Sequence, residues 1–480
     1  MVARPPSPAI ALISLLGLTL AGCADDAAPT ETPRLAKPIA AYDATASFAA
    51  PGFADQARAW PERGWWKRYG DSQLDHLIEE ALTGSPSLAS AKARLAQAQA
   101  AATVAGAAQL PELDANASAY ETKQSYHYGF PPALVPQGYH DADTATLNLS
   151  YQLDLWGKNR SAAKAALSDA NAAALDALVV EINLSAAVAD AYAGLARHYA
   201  ERDVAELALK VREATFDLTA RRLHSGLDTR AELKQAESAV PAAEASLLAI
   251  DEAIELDRNR LSALLGAGPD RGRAITRPPA ETLQPFGLPQ HLAADLLGRR
   301  ADIRAARARA EAAARRIDVA DAAFYPNIDL AAFIGVQALG FPYLTRSGSD
   351  IGAVGPAVSL PIFSGFRLQG QLRQAEAEYQ AAVADYDQTV TQALQDVADV
   401  ATSEKSLASQ IKATRRAVAD SEEAYQIAKR RYEGGLANFL SVLSAEDAWL
   451  NNRRALADLE SRAFTLDIAL YRALGGGFGS

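Results

Sequence analysis

Cysteine and methionine are almost absent: the 480 residues hold one of each, Cys23 and Met1. A single thiol excludes an internal disulfide, and the six His stand in unrelated contexts, so no Cys/His cluster is spaced for a structural zinc. Basic charge is also short. Lys and Arg number 47 against 58 Asp and Glu, a net charge of −11, which argues against a nucleic-acid ligand because phosphates require a basic face. Aromatics contribute only 7% although apolar residues reach 49%, so most of the apolar content is small side chains suited to closely packed helices. No phosphate loop, dinucleotide fingerprint or nucleophile elbow is present, and the acidic residues follow helical surfaces, so the sequence reads as a non-enzyme with no metal or cofactor.

The first apolar stretch, Ala9–Ala21, follows Arg4 and is shorter than the roughly 20 residues of a spanning helix, as in a secretory leader. It ends in Leu20-Ala21-Gly22-Cys23, which resembles the bacterial lipobox. That resemblance implies a diacylglyceryl and palmitoyl lipid on Cys23 after removal of residues 1–22, and Ala24 in place of Asp favours sorting to the outer membrane. Residues 23–60, rich in Ala, Pro, Thr and Asp without periodicity, read as a tether.

The remainder is written twice, over 61–270 and 271–480. Leu88, Arg94 and Leu110-Pro111 of the first copy correspond to Ile303, Arg309 and Tyr325-Pro326 of the second, Gly226-Leu227 to Gly435-Leu436, and Leu265-Gly266 to Leu474-Gly475. Strict alternation of Ala145, Leu147, Leu149, Tyr151 and Leu153 with Thr146, Asn148, Ser150 and Gln152 predicts a strand over about 145–155. The pattern returns at about 327–338, and weaker alternation marks strands at about 112–122 and 353–362. Alone, such alternation also describes one sheet of a soluble sandwich. Loops rich in aromatics, Gly and Pro at 125–141 and 339–350 favour a membrane barrel. Four strands cannot close a barrel, and open edges in lipid cost several kcal/mol per unpaired group, so several copies must share one barrel.

No Pro follows Pro361 and no Gly lies between Gln371 and Glu433, which predicts one helix over about 364–432, on the order of 100 Å long. The first copy predicts its counterpart over about 158–223. Steps of three and four through Leu372, Ala375, Tyr379, Ala382, Tyr386, Val390 and Ala393 give coiled-coil patterning, which a lipid-anchored periplasmic scaffold would also show.

From about Trp65 to its end, the chain resembles the outer membrane factor family, the TolC-like channels, and within it the lipoprotein efflux branch related to NodT and OprM. The resemblance rests on Trp65-Trp66 with Asp71 and Leu74, Leu153-Asp154-Leu155-Trp156-Gly157-Lys158, Arg299-Arg300-Ala301-Asp302-Ile303, Phe324-Tyr325-Pro326, Ser359 to Gly365, and Leu470 to Gly477. Ala301 departs from the family's usual Pro, and Phe366 from a common second Gly. The fold implied is mainly α with a membrane β-barrel: a homotrimer whose four strands per chain make a barrel of 12, continued by a periplasmic α-helical barrel with a mixed belt at its equator. The function implied is passive export of small molecules through the outer membrane, delivered by an inner-membrane RND-type pump and a periplasmic membrane-fusion adaptor. A duct for type I protein secretion is the alternative.

The same resemblance places two turns at the periplasmic tip as adaptor contacts, with Arg222, Gly226 and Leu227 in one and Arg431, Gly435 and Leu436 in the other. It also places Val418, Asp420 and Glu422 at the periplasmic aperture, where three-fold symmetry would turn each carboxylate into a ring that attracts cations.

Overall fold

The computed structural model describes residues 36–37, 62–127, 131–279 and 298–477, so Cys23, the leader and nearly all of the tether lie outside the described residues. The described chain holds seven α-helices and four strands, in the order α1 (Ser72–Gly84), α2 (Pro86–Ala107), β1 (Glu112–Thr122), β2 (His140–Gln152), α3 (Lys158–His224), α4 (Arg230–Leu264), α5 (Ala301–Ala322), β3 (Asn327–Leu339), β4 (Asp350–Ser359), α6 (Arg367–Glu433) and α7 (Phe439–Ala473). Corresponding helices of the two copies agree in length: 22 residues for α2 and α5, 67 for α3 and α6, and 35 for α4 and α7.

The 67-residue helices are about 100 Å long, and each is paired in two stages. Near the strands α3 packs against α2 and α5; towards its far end it packs against α4 and α7. The stretch of α3 that is apolar enough to cross a bilayer by composition is instead a core helix. Ile182, Leu184, Val188, Tyr192 and Leu195 are buried with Leu74, Leu77 and Ile78 of α1 and with Trp65 and Trp66.

The recurrent motifs fix this core. Trp65 stacks on Tyr471 at 4.0 Å between ring centres. The Asp71 carboxylate caps α1, accepting from the backbone N–H groups of Gln73 and Leu74, and also accepts from the Tyr192 hydroxyl at 2.6 Å. Arg300 is buried at the start of α5. It donates to Asp302, to Asp396 of α6 and to the Ala473 carbonyl at 2.9 Å, which ties the start of α5 and the end of α7 to the middle of α6. A Cβ on Gly475 would stand 2.7 Å from the Arg299 carbonyl and one on Gly477 2.5 Å from Glu62, so the chain passes here only without side chains.

The strands form one antiparallel sheet in the order β1-β2-β3-β4. Its junctions with the helices explain where the sequence-based bounds shift. β2 begins at His140 rather than 145 and ends at Gln152 rather than 155: the Leu153 N–H still donates to the Ile328 carbonyl at 2.8 Å, but beyond it the chain turns, and the Asp154 carboxylate accepts from the N–H groups of Asn159 and Arg160 at the start of α3. β4 ends at Ser359 rather than 362, ahead of Pro361, which has no N–H to give a ladder. Gly365 and Phe366 take left-handed backbone (φ 60° and 63°), so α6 starts at Arg367 rather than 364.

Candidate functional site

The sheet has two faces of opposite character. Pairing sets Leu113 beside Leu149, Leu147 beside Ile334, Leu149 beside Ala332, and Ile328 beside Val358, all on one face. The other face carries Asp114 beside Asn148, Asn116 beside Thr146, and Gln152 beside Asp329. Among the described residues nothing covers the apolar face: Val354 is 87% exposed and Ile334 68%. Strands of 10 to 13 residues suit a tilted crossing of the hydrocarbon layer. Among the described residues, the outer strands β1 and β4 each leave one edge unpaired. In lipid those edges must be closed by further strands, and a second copy supplies them: β4 of one protomer beside β1 of the next. Closure leaves the apolar face outward and the polar face around a lumen.

At the opposite end of the long helices, both tips end in the same backbone motif. Gly226 and Gly435 adopt left-handed φ of 71° and 74°. The Leu227 N–H then donates to the Arg222 carbonyl at 2.9 Å and the Leu436 N–H to the Arg431 carbonyl at 2.7 Å, the long-range bond of a Schellman cap. Glycine suits both positions because left-handed backbone is strained for a residue with a Cβ, although the space around each is open. Leu227 and Leu436 project outward, 63% and 74% exposed.

The two arginines, alike in sequence, differ in structure. Arg431 is exposed. Arg222 is buried, and its place corrects the expectation that it reaches outward. Its Nη1 donates to the Tyr432 carbonyl at 2.6 Å, its Nε lies 3.1 Å from Asp228, and its guanidinium sits 4.2 Å over the Tyr432 ring. The Tyr432 hydroxyl donates to the same Asp228 carboxylate; burial, with that bond, pushes the phenol up to about 12. Arg222 therefore joins the first tip to the second within one chain.

About 15 Å above, ten residues along α3 from Arg222 to Arg212, lies a buried polar cluster that the sequence alone did not single out. Glu446 of α7 has no solvent exposure; its carboxylate lies 2.7 Å from Arg212 and accepts from the Thr215 hydroxyl at 2.7 Å. Burial pushes Glu446 upward, and Arg212 and Thr215 oppose that shift. Tyr425 stacks on Trp449 at 5.2 Å beside it. One signal was present: Glu446 interrupts the apolar stripe Phe439, Val442, Trp449, Leu450.

The aperture candidates occupy one turn of α6. Asn452 of α7 donates to the Ala417 carbonyl at 3.3 Å and lies 3.2 Å from the Ser421 hydroxyl, so that edge of α6 faces α7. Asp420 is exposed, while Val418 and Glu422 are half-buried. Among the described residues no group of three or more His, Cys, Asp or Glu is placed to hold a metal.

The outer membrane efflux protein family model matches residues 77–267 and 292–476, one span for each copy. The chain belongs to that family. It is 41% identical over 374 residues to the fusaric acid resistance protein FusA of Burkholderia cepacia, an alignment covering 77% of this chain and 69% of that one. It is 31% identical over 474 residues to the pyoverdine export outer membrane protein OpmQ of Pseudomonas putida, covering 96% of each. Among solved structures, the outer membrane protein VceC of Vibrio cholerae superposes with a TM-score of 0.84 at 49% identity, covering 88% of this chain and all of that one. Membership makes the chain an outer-membrane efflux channel that spans the outer membrane and extends into the periplasm. Family members are trimers within tripartite efflux systems, in keeping with the two unpaired sheet edges.

Proposed function

We propose that three copies of this chain form the passive exit duct of a tripartite pump, exporting small molecules brought by an inner-membrane RND-type transporter through a periplasmic membrane-fusion adaptor. The observation that carries this reading is one sheet with a bare apolar face and two free edges, mounted on helices about 100 Å long. Such a molecule needs no catalytic group, only a lumen. The cargo class follows the family: resistance to fusaric acid and export of pyoverdine are named for relatives, and both are small organic molecules.

In this reading Leu227, Leu436 and the exposed Arg431 meet the adaptor around the glycine turns, with Gly226 and Gly435 shaping them, while Arg222 supports them from inside. Val418, Asp420 and Glu422 line the periplasmic constriction, and a lipid on Cys23 adds an anchor to the outer membrane. Two substitutions test these parts. Replacing Asp420 and Glu422 together with Ala should raise single-channel conductance and weaken divalent-cation block; unchanged conductance would move the constriction elsewhere. Cys23→Ser should abolish incorporation of labelled palmitate, and persistent labelling would contradict the lipid assignment.

A further inference from the structure

Below the periplasmic ends of the strands, both copies carry the same collar of exposed rings and cations. Trp156 and Arg160 of the first copy correspond to Phe363 and Arg367 of the second. Trp156 stacks on Tyr325 at 4.8 Å between ring centres, and its Nε1 donates to the Pro326 carbonyl at 2.7 Å, so the ring is fixed in place while half-exposed. Phe363 is 81% exposed, and beside it Leu360 and Ile362 carry the apolar alternation of Val354 and Val358 past the end of β4. The boundary between hydrocarbon and headgroups favours such rings.

The two long helices that begin here begin basic. Between Lys158 and Ser168, α3 holds Lys158, Arg160 and Lys164 and no acid; between Arg367 and Ala375, α6 holds Arg367 and Arg373 and no acid. All five are exposed, and among the described residues none is ion-paired. Arg367 donates to the neutral Gln371 side chain at 3.2 Å. Asp154, the acid nearest in sequence, accepts instead from the N–H groups of Asn159 and Arg160. The Arg160 guanidinium reaches back over Gly157, where a Cβ would stand 3.0 Å from Nη2, and this sets its charge beside Trp156. Farther from the membrane the pattern changes: the first acids of α3, Asp169 and Asp176, are paired with Arg316 and Arg309 of α5. In a chain of net charge −11, the unpaired cations are thus gathered in one band directly under the apolar sheet face.

We infer that this collar binds the phosphates of anionic phospholipids in the periplasmic leaflet and selects them over zwitterionic lipid around the channel. Two observations set the occupant. The collar continues the bare apolar face without a break, so what meets it lays acyl chains against Val358, Leu360 and Ile362. Its side-chain charge is of one sign, so the matching headgroup carries net negative charge; a zwitterionic headgroup brings its own cation towards the arginines and gains less. Guanidinium groups present a planar fork to phosphate oxygens, and the long stems of Lys and Arg extend from the helix to reach them. Each cation held at an anionic lipid surface strengthens binding about fivefold. The collar needs only the membrane span, and neither pump nor adaptor, to act in this way.

The test uses the purified full chain as trimers in non-ionic detergent. Phosphatidylglycerol and phosphatidylcholine with the same acyl chains are added in equal amount, and retained lipids are counted by native mass spectrometry. Wild type should retain phosphatidylglycerol in severalfold excess. Lys158→Gln, Arg160→Gln and Arg367→Gln should each lower the excess by up to about fivefold, and the triple variant should bring it close to parity. Arg160→Lys with Arg367→Lys keeps the charge and should keep the excess. Lys405→Gln, Lys412→Gln and Arg416→Gln together make the same charge change on exposed residues on the order of 60 Å down α6, and should also leave it intact. Equal retention of the two lipids by wild type, or an undiminished excess in the triple variant, would overturn the inference. Displacement of the retained lipid by inorganic phosphate, but not by KCl of the same ionic strength, would assign the cations to a free-anion site and overturn it as well. The same spectra report the trimer mass, and where the triple variant does not assemble, the single variants decide by the same criterion.

Discussion

Arg222 and Arg431 stand at the same position of two copies of one motif, and replacing each with Ala should have very different effects. Removing the Arg222 guanidinium leaves the Asp228 carboxylate, whose side chain is 4% exposed, without its cation and takes a 2.6 Å donor from the Tyr432 carbonyl. Breaking a buried charge pair by deleting one partner costs about 3–5 kcal/mol. The Tyr432 hydroxyl still reaches Asp228 and moderates the loss, which places the expected cost near 3 kcal/mol. Arg431 makes one long contact, 3.5 Å to the Leu436 carbonyl, and is exposed, so its removal should cost under about 0.5 kcal/mol. Hydrogen exchange read by mass spectrometry on peptides covering 216–232 and 425–440 measures this locally. At 1.4 kcal/mol per tenfold, Arg222→Ala should speed exchange of both tips on the order of 100-fold, and Arg431→Ala by little. A double-mutant cycle with Tyr432→Phe should show coupling, since Asp228 serves both side chains. Equal exchange in the two arginine variants, or acceleration confined to the first tip, would refute the claim that Arg222 joins the tips.

Further outcomes follow from strain and titration. Phe366 holds a left-handed φ of 63°, the only non-glycine to do so among the described residues, and its side chain is 66% exposed. Phe366→Gly should therefore stabilise the protein by about 1 kcal/mol in chemical denaturation, and destabilisation would show that the edge contact with Phe363 outweighs the backbone. Burial, reinforced by the charge of Asp467, raises Glu404 to about 7. The folded state then holds this proton more tightly than the unfolded chain, so stability declines as pH climbs from the ordinary carboxylate range to about 7. Glu404→Gln should remove that decline, with a gain on the order of 2 kcal/mol above neutrality and little change in acid, as read from denaturation midpoints across pH. A gain of the same size at every pH would point to packing instead of protonation.

The fold was legible in the sequence because its signals are long-range and redundant. Alternation over β2 and β3, long spans free of Pro and Gly in α3 and α6, and two copies with the same order of elements constrain one another. Element ends were less legible because local groups decide them: the Asp154 cap, the missing N–H of Pro361, and the left-handed pair Gly365-Phe366. Phe366 was visible as a departure from the family pattern, but its cost appeared only with its dihedral angles. Ala301, the other departure, sits at the first position of α5, where Pro is readily accommodated, so the exchange is physically mild. Tip glycines could be read from sequence because left-handed backbone demands them. The opposite fates of Arg222 and Arg431 could not, since burial depends on the facing copy: Tyr432 and Asp228 come from different tips. Glu446 was hidden for the same reason, because its partners Arg212 and Thr215 lie more than 200 positions away.

The most direct test of the central claim is the oligomer mass of the purified protein in detergent together with its conductance in planar bilayers. A mass of three protomers, with discrete cation-preferring steps, is the predicted result, because four strands with two free edges close only when copies join. A stable monomer that adds no conductance would contradict it and return the strands to a soluble sheet.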